Sequence, residues 1–187
     1  MKHVLYLIAG ANGSGKTTLG HELLKDERGL LFMNSDEIAA KIDDSFGVQA
    51  GKILLQKLGG VIAKKKSFAL ESTISGLHHL RVLEMAKKAK YEIILIYVFL
   101  DFPEANIARI AKRVQMGGHD IADEVVIRRF YKSVANFWPA SELADRWKLY
   151  YNGDDNFELI AEGGKSVVQI MNEDLYKKFR KGLKTEA

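Results

Sequence analysis

Gly10-Ala11-Asn12-Gly13-Ser14-Gly15-Lys16-Thr17 is the stretch that decides the fold of this 187-residue chain. At every defined position it matches a glycine, four arbitrary residues, a second glycine, a lysine, and a serine or threonine. The strand-like run His3–Ala9 precedes it, and a helix-like run from Thr17 to Lys25 follows it. This order predicts a loop whose backbone N–H groups surround phosphate oxygens at the start of a helix. The alternative is a glycine turn that joins a strand to a helix and binds nothing.

The residue types in this loop predict a nucleoside triphosphate with Mg²⁺ as the ligand. Lys16 should reach the β- and γ-phosphates, and the Thr17 hydroxyl should bind Mg²⁺, which prefers hard oxygen ligands. ATP is favoured over GTP, because the nearest candidate for a guanine-reading Asn-Lys-x-Asp, Asn152-Gly153-Asp154-Asp155, has no lysine. The predicted nucleotide-binding residues are Gly10, Ala11, Asn12, Gly13, Ser14, Gly15, Lys16, Thr17 and Thr18.

Composition limits the class of protein. The chain is 47% apolar and 28% charged, which is typical of a globular domain, and we expect residues 1–187 to form a single P-loop domain. It has no cysteine, so disulfides, thiolate metal sites and a cysteine nucleophile are excluded, and the cytoplasm is the expected location. The apolar run Ile93–Leu100 is too short for a membrane-spanning helix, which needs about 20 residues. The net charge of +4 suits an anionic ligand, but the scattered lysines favour a solvated surface over a nucleic-acid interface.

Five apolar runs alternate with helix-like stretches. This alternation predicts an α/β fold of the P-loop NTPase type, with a central five-stranded, mostly parallel sheet and helices on both faces. The runs are His3–Ala9, Leu30–Asn34, Ser67–Glu71, Glu92–Leu100 and Trp147–Asn152. A helix is predicted over Val48–Lys66, where apolar residues recur at helical spacing and lysines end the pattern.

Two further helices and a hairpin complete the predicted fold. Pro103 should open a helix that ends near Met116 before Gly117-Gly118, and a second helix should follow from Asp123 to Trp138. The two helices would form a mobile lid over residues 103–138. The C-terminal part predicts strands over Phe157–Glu162 and Ser166–Met171, a turn at Gly163-Gly164 and a basic helix from Glu173.

Acidic residues follow the ends of predicted strands, where an open α/β sheet binds its ligands. Asp36 follows the second strand and could accept the proton of a substrate hydroxyl, or it could cap the next helix. Glu71 ends the third strand and could bind substrate or a Mg²⁺-bound water, or it could be a plain strand-end charge. Asp101 ends the fourth strand, and we expect it to cap the helix at Pro103.

The lid carries four arginines: Arg109, Arg113, Arg128 and Arg129. Phosphoryl transfer depends on positioning and charge stabilisation, so a closing lid could bring guanidinium groups onto the transferred phosphoryl. Alternatively, at least two of the four are basic residues on exposed helix faces with no role at the phosphates. His119, beside the glycines, could contact phosphate or end the lid loop, whereas we expect His78 and His79 on a solvated surface.

Five segments occur in a characteristic order: Gly10–Thr18, Asn34-Ser35-Asp36, Ser67–Thr73, Arg113–Ile121 and Arg128-Arg129. Together they resemble the short zeta-toxin-like P-loop kinases, often labelled predicted ABC-type ATPases. The resemblance implies an ATP-dependent kinase with Asp36 as catalytic base, Glu71 and Thr73 at the substrate, and lid arginines at the phosphates. Zeta toxins phosphorylate UDP-N-acetylglucosamine and are held inactive by a helical antitoxin. A nucleotide-sugar acceptor and an antitoxin partner are therefore expectations from the resemblance.

The sequence thus predicts a phosphotransferase that moves the γ-phosphoryl of ATP to a hydroxyl of a small molecule. Its predicted catalytic residues are Lys16, Asp36, Arg113 and Arg129, and its predicted acceptor-side residues are Asp36, Glu71, Thr73 and His119. Two rivals stay open. One is an NTP-hydrolysing switch that acts on a protein partner, and the other is a kinase that acts on nucleic-acid ends.

Overall fold

A computed structural model describes residues 3–27, 29–34, 48–153, 156–165 and 167–183. Within these ranges the chain alternates between strands and helices. The strands are β1 (Val4–Ala9), β2 (Leu31–Asn34), β3 (Phe68–Ser72), β4 (Glu92–Phe99), β5 (Arg146–Tyr151), β6 (Glu158–Gly164) and β7 (Val168–Ile170). The helices are α1 (Lys16–Leu24), α2 (Val48–Ala63), α3 (His78–Lys88), α4 (Pro103–Gln115), α5 (Asp123–Leu143) and α6 (Glu173–Arg180).

The described strands form one sheet in the order β2-β3-β1-β4-β5-β6-β7. The five strands predicted from the apolar runs are all parallel, with β1 between β3 and β4. The two C-terminal strands extend this sheet in antiparallel pairing, so the predicted hairpin is part of the central sheet. The carboxyl ends of all five parallel strands therefore lie at one edge, where ligands bind in open α/β sheets.

The prediction of a turn at Gly163-Gly164 is wrong, because both glycines lie inside β6. Gly163 pairs with Trp147 and Gly164 pairs with Arg146 on β5. A Cβ atom on Gly163 would lie 2.6 Å from the Trp147 ring, so the glycine leaves room for the indole. The chain reverses after Gly164, whose N–H donates to the carbonyl of Val167 at 3.0 Å.

The lid helices have nearly the predicted limits. α4 begins at Pro103 and ends at Gln115, after which Gly117 has φ of 87° and the Gly118 N–H donates to the Arg113 carbonyl. This left-handed glycine with a bond back to the last turn is a common helix ending. α5 runs on to Leu143, beyond the predicted end at Trp138, because its buried face continues after that point.

Asp101 does not cap α4, contrary to the prediction. The residue before α4 is Phe102, and no side chain caps that helix end. Asp101 instead accepts a hydrogen bond from the Tyr151 hydroxyl and pairs with Lys178 of α6 at 3.5 Å. Its carboxylate therefore joins β5 to the C-terminal helix.

The two faces of the sheet are covered unequally. Along β4, Ile93 and Leu95 point into a large core with α2, α3, α5 and α6, while Ile96 and Val98 point into a small core with α1. The large core contains a group of rings in mutual contact, which we call the aromatic cluster: Tyr97, Phe99, Phe137, Trp138 and Phe179. The described helices include none that is long and apolar enough to cross a membrane.

Candidate active site

The glycine loop lies at the carboxyl edge of the sheet, between β1 and α1. Gly13 and Gly15 have φ of 78° and 92°, in the left-handed region that glycine tolerates best. A Cβ atom on Gly15 would also lie 2.4 Å from Nδ2 of Asn152. The loop therefore needs glycine at Gly15 for both conformation and space, and it leads directly into the N-terminus of α1, where an anion is favoured.

Lys16 is the first residue of α1 and is only 5% exposed. Its ammonium donates to the carbonyl of Ala11 at 3.4 Å, so the side chain folds back across its own loop. A neutral carbonyl at this distance is a weak acceptor for an ammonium, whereas phosphate oxygens give shorter and stronger charge-assisted bonds. Lys16 is thus placed to exchange the Ala11 carbonyl for a phosphate.

Glu71 joins β3 to the phosphate loop. Its side chain is buried, and the direct pairing of β3 with β1 places Glu71 opposite Ile8, just before the loop. The Thr17 hydroxyl donates to Oε1 of Glu71 at 2.9 Å, and the Lys16 ammonium lies 3.8 Å from the same oxygen. A hydroxyl beside a carboxylate is a hard oxygen donor set of the kind that Mg²⁺ prefers. Thr17 and Glu71 therefore fit a Mg²⁺ ion bound beside the triphosphate.

The chain after β3 makes a strained turn. Thr73 is buried and its hydroxyl lies 3.0 Å from that of Ser75, while Ile74 between them is fully buried with φ of 44°. A β-branched residue in the left-handed region costs on the order of 1–3 kcal/mol. Two bonds hold the turn: the Ile74 N–H donates to Ser72 Oγ at 3.1 Å, and Asn136 Nδ2 of α5 donates to the Ile74 carbonyl at 2.6 Å.

The lid arginines occupy different positions. Arg129 of α5 donates to Oδ1 of Asn12 in the phosphate loop at 3.3 Å. Arg109 of α4 donates to the Asn152 carbonyl at 2.7 Å, and Arg113 donates to the His119 carbonyl at 2.9 Å. Arg128 is exposed. The structure therefore brings Arg129 to the loop itself, whereas Arg113 holds the exposed segment that follows the two glycines.

A Haemophilus influenzae protein, known only as an uncharacterized protein, shares 31% identity with this chain over 134 residues. The aligned region is 70% of this chain and 94% of that protein. The chain belongs to the same family as this protein. No protein-family model matches the sequence.

Solved structures of other proteins have the same fold as this chain. A chain of the AvrRxo1-ORF1:AvrRxo1-ORF2 complex with ATP superposes with a TM-score of 0.70 and 13% identity over 100% of this chain. The family member spans 66% of that chain's length. A chain of the PezAT toxin–antitoxin system of Streptococcus pneumoniae superposes with a TM-score of 0.61 and 12% identity, covering 97% of this chain and 86% of that one. The chain shares the fold of these two proteins, so the predicted P-loop NTPase fold and the resemblance to the zeta-toxin-like proteins are confirmed at the level of fold.

Two asparagines that the sequence analysis missed hold the phosphate loop of the family member. Asn106 Nδ2 of α4 donates to the Asn12 carbonyl at 2.6 Å, and Asn152 Nδ2, just after β5, donates to the Ser14 carbonyl at 2.9 Å. Both side chains are buried. Because the carbonyls are engaged from outside the loop, the amides that the same peptide units carry can face the phosphates. Only the position of Asn152 at a strand end could have signalled such a role.

The predicted base, Asp36, lies outside the described residues. β2 ends at Asn34, which pairs with Glu71 of β3. The last residue of β2 therefore lies next to Glu71, whose carboxylate accepts the hydrogen bond from Thr17.

Two histidines, His78 and His79, were predicted to lie on a solvated surface. His78 is half-buried. His79 is buried and only 1% exposed, so the prediction of a solvated position is wrong for this residue. It lies in the first turn of α3, on the face that also buries Val82 and Leu83. Burial, together with the neighbouring charge of His78, lowers the pKa of His79 to about 4. His79 is therefore neutral at pH 7. His119 is exposed beside the lid glycines.

Proposed function

We propose that this protein is an ATP-dependent phosphotransferase that moves the γ-phosphoryl of ATP to a hydroxyl of a small molecule. The observation that carries this proposal is the meeting of four side chains at the carboxyl edge of the sheet. Lys16 and Thr17 lie where the phosphate loop enters α1, and both contact Glu71 of β3. Arg129 of α5 contacts Asn12 in the same loop. The fold shared with P-loop kinases supports the same reaction class.

ATP is the proposed phosphoryl donor. The AvrRxo1 complex, which shares the fold, was solved with ATP. In this chain Lys16 would neutralise the β- and γ-phosphates, and the N–H groups of Gly13 to Thr17 would donate to their oxygens. Thr17 and Glu71 would hold Mg²⁺, which would supply positive charge to offset that of the phosphates. Each of these groups acts on charge and position, which is how enzymes accelerate phosphoryl transfer.

The transfer step joins the acceptor oxygen to the γ-phosphorus as the bond from that phosphorus to the β,γ-bridging oxygen breaks. The bonding electrons leave with ADP, and we assign the hydroxyl proton to Asp36. Arg129, with Arg113 when the lid closes, would stabilise the charge on the moving phosphoryl. Thr73 and His119 would face the acceptor, for which a nucleotide sugar is a candidate.

A protein partner and a cytoplasmic location belong to the same proposal. The two structures that share the fold come from an ORF1:ORF2 complex and a toxin–antitoxin system. We infer that this chain also binds a protein partner, which would inhibit the kinase as an antitoxin does. The cytoplasm supplies ATP to such an enzyme.

The first test is incubation of purified protein with γ-labelled ATP, Mg²⁺ and a panel of nucleotide sugars, nucleosides, oligonucleotides and metabolite extract. We expect label on one class of small molecule, and no label with Lys16→Ala or Asp36→Ala. ATP binding should be lost only in Lys16→Ala, while Arg128→Ala serves as an exposed control. Label on oligonucleotide ends would overturn the small-molecule acceptor, and release of phosphate unchanged by any acceptor would indicate a hydrolytic switch.

A further inference from the structure

Asn12 is the point at which both lid helices touch the phosphate loop. Its carbonyl accepts from Asn106 of α4 at 2.6 Å, and its side-chain oxygen accepts from Arg129 of α5 at 3.3 Å. The residue is 5% exposed although it lies on a loop. Two elements that are separate in sequence are therefore anchored on one loop residue, through two different atoms.

The loop tip also packs against α4 without a gap. A Cβ atom on Gly13 would lie 2.7 Å from the Asn106 carbonyl and 3.2 Å from Cγ1 of Ile110. α4 thus rests on the backbone of the tip. Any change that phosphates cause in the Asn12-Gly13 peptide passes directly to this helix, because close-packed groups do not deform independently.

We propose that Asn12 is a lid latch: its side chain holds Arg129, and with it the N-terminal half of α5, against the phosphate loop before a nucleotide binds. When phosphates enter the loop, Arg129 leaves the Asn12 amide for a phosphate oxygen. Asn12 is therefore a positioning residue for Arg129. The first step concerns the nucleotide-free protein alone, and only the second rests on the proposed function.

The two acceptors differ enough to drive the exchange. The Asn12 amide oxygen is neutral and lies 3.3 Å from the guanidinium, which is at the long end for an N–H···O bond. A phosphate oxygen is charged, and charge-assisted bonds are about twice as strong as neutral ones. The bond from Asn106 to the Asn12 carbonyl does not involve the Asn12 side chain, so α4 keeps its anchor while Arg129 changes partner.

Hydrogen exchange of the backbone amides in Asp123–Phe130, measured without nucleotide, tests the first step. One hydrogen bond contributes about 0.5–1.5 kcal/mol, so Asn12→Ala and Arg129→Ala should each speed exchange by about twofold to tenfold. The double variant should show less than the combined increase of the two single variants, because both single changes remove the same bond. Arg128→Ala, an exposed neighbour on the same helix, should exchange like the wild type.

Asn12→Asp sharpens the test, because a carboxylate would hold Arg129 by a charge-assisted bond. We expect slower exchange in Asp123–Phe130 than in the wild type, together with ATP affinity weakened by about tenfold or more. Unchanged exchange in Arg129→Ala, or additive effects in the double variant, would overturn the latch. Should Asn12→Ala fail to fold, Arg129→Ala and Arg129→Lys test the same bond from its other end. A kinase assay that shows no transfer would refute the proposed function and leave the exchange result standing.

Discussion

A single carboxylate oxygen, Oε1 of Glu71, faces both the hydroxyl of Thr17 and the ammonium of Lys16. At the scale of residues this oxygen links the two side chains that the loop motif assigns to phosphate and Mg²⁺. Because Glu71 is buried, its charge acts through few intervening water molecules and is felt strongly by both neighbours.

Glu71→Gln distinguishes the contribution of Mg²⁺ to ATP affinity from the contribution of the phosphates. The amide still accepts from Thr17 but carries no charge, so the affinity for ATP with Mg²⁺ should fall about 10- to 100-fold. Without Mg²⁺, ATP affinity should be unchanged or higher, since a negative charge near the phosphates is gone. Calorimetric titration with and without EDTA measures both values. Equal losses in the two conditions would remove Glu71 from the metal site, and Glu92→Gln, in the exposed pair with Arg146, is the control.

His79 makes stability depend on pH. Its pKa is about 4 in the folded protein, below the 6.5 of a free histidine, so the unfolded chain binds more protons between these values. Stability should therefore fall by up to about 3 kcal/mol as the pH drops from 6.5 to 4. Urea denaturation at several pH values should show that His79→Leu loses part of this dependence. His119→Gln, at an exposed site, should keep it; an unchanged profile in His79→Leu would contradict the assignment.

The residues recognised from the sequence share a local signal, whereas of those that were missed only Asn152 has one, its position at a strand end. Lys16, Thr17 and Glu71 are recognised from a motif and a strand end. Asn106 and Asn152 reach loop residues 94 and 138 positions away, and no local pattern encodes such a contact. The burial of His79 also depends on a face of α3 that becomes part of the core only when the chain is folded.

At the scale of elements, α5 links the phosphate loop to the turn that follows β3. Its N-terminal half carries Arg129, and beyond the middle of the helix Asn136 bonds the carbonyl of the strained Ile74. The same helix therefore contacts the phosphate loop and the turn that holds Thr73. The glycine break at Gly117-Gly118 predicted the start of α5, but Ile74 is not a glycine, so the sequence does not signal its left-handed conformation.

Asn136→Ala should release this turn. The substitution leaves the Ile74 carbonyl without its 2.6 Å donor, and an unsatisfied buried group costs about 1–3 kcal/mol. We expect the melting temperature to fall by about 2–10 °C. Differential scanning calorimetry measures it, with the exposed Lys132→Ala on the same helix as control. A melting temperature like that of the wild type would show that the turn holds without Asn136.

At the scale of the whole molecule, most of the described helices that pack on the sheet cover the same face of it. The large core takes its helices from the middle and the end of the chain, whereas α1 serves the small core on the other face. The alternation of apolar runs predicted a parallel sheet, but it could not show that β6 and β7 would extend the sheet. That outcome depends on the pairing of β6 with β5, in which Gly163 leaves room for the Trp147 ring.

Phe179 of α6 should be among the most costly residues to remove. It is fully buried and contacts four rings of the aromatic cluster. Phe179→Ala should destabilise the protein by about 3–5 kcal/mol in urea denaturation. Val167→Ala, at a site 72% exposed, should change stability by less than about 0.5 kcal/mol. A small effect of Phe179→Ala would mean that α6 is not required to close the core.

The aromatic cluster also sets an order of events at the ribosome. Tyr97 and Phe99 of β4 and Phe137 of α5 are synthesised well before α6, yet their rings are covered by Phe179. At about 5–20 residues per second, the stretch from Trp138 to Phe179 takes about 2–8 s to synthesise, so the cluster waits that long for its last member. A nascent chain of this protein therefore presents aromatic surface to the cell throughout that interval, which is the period in which a ribosome-associated chaperone would bind it.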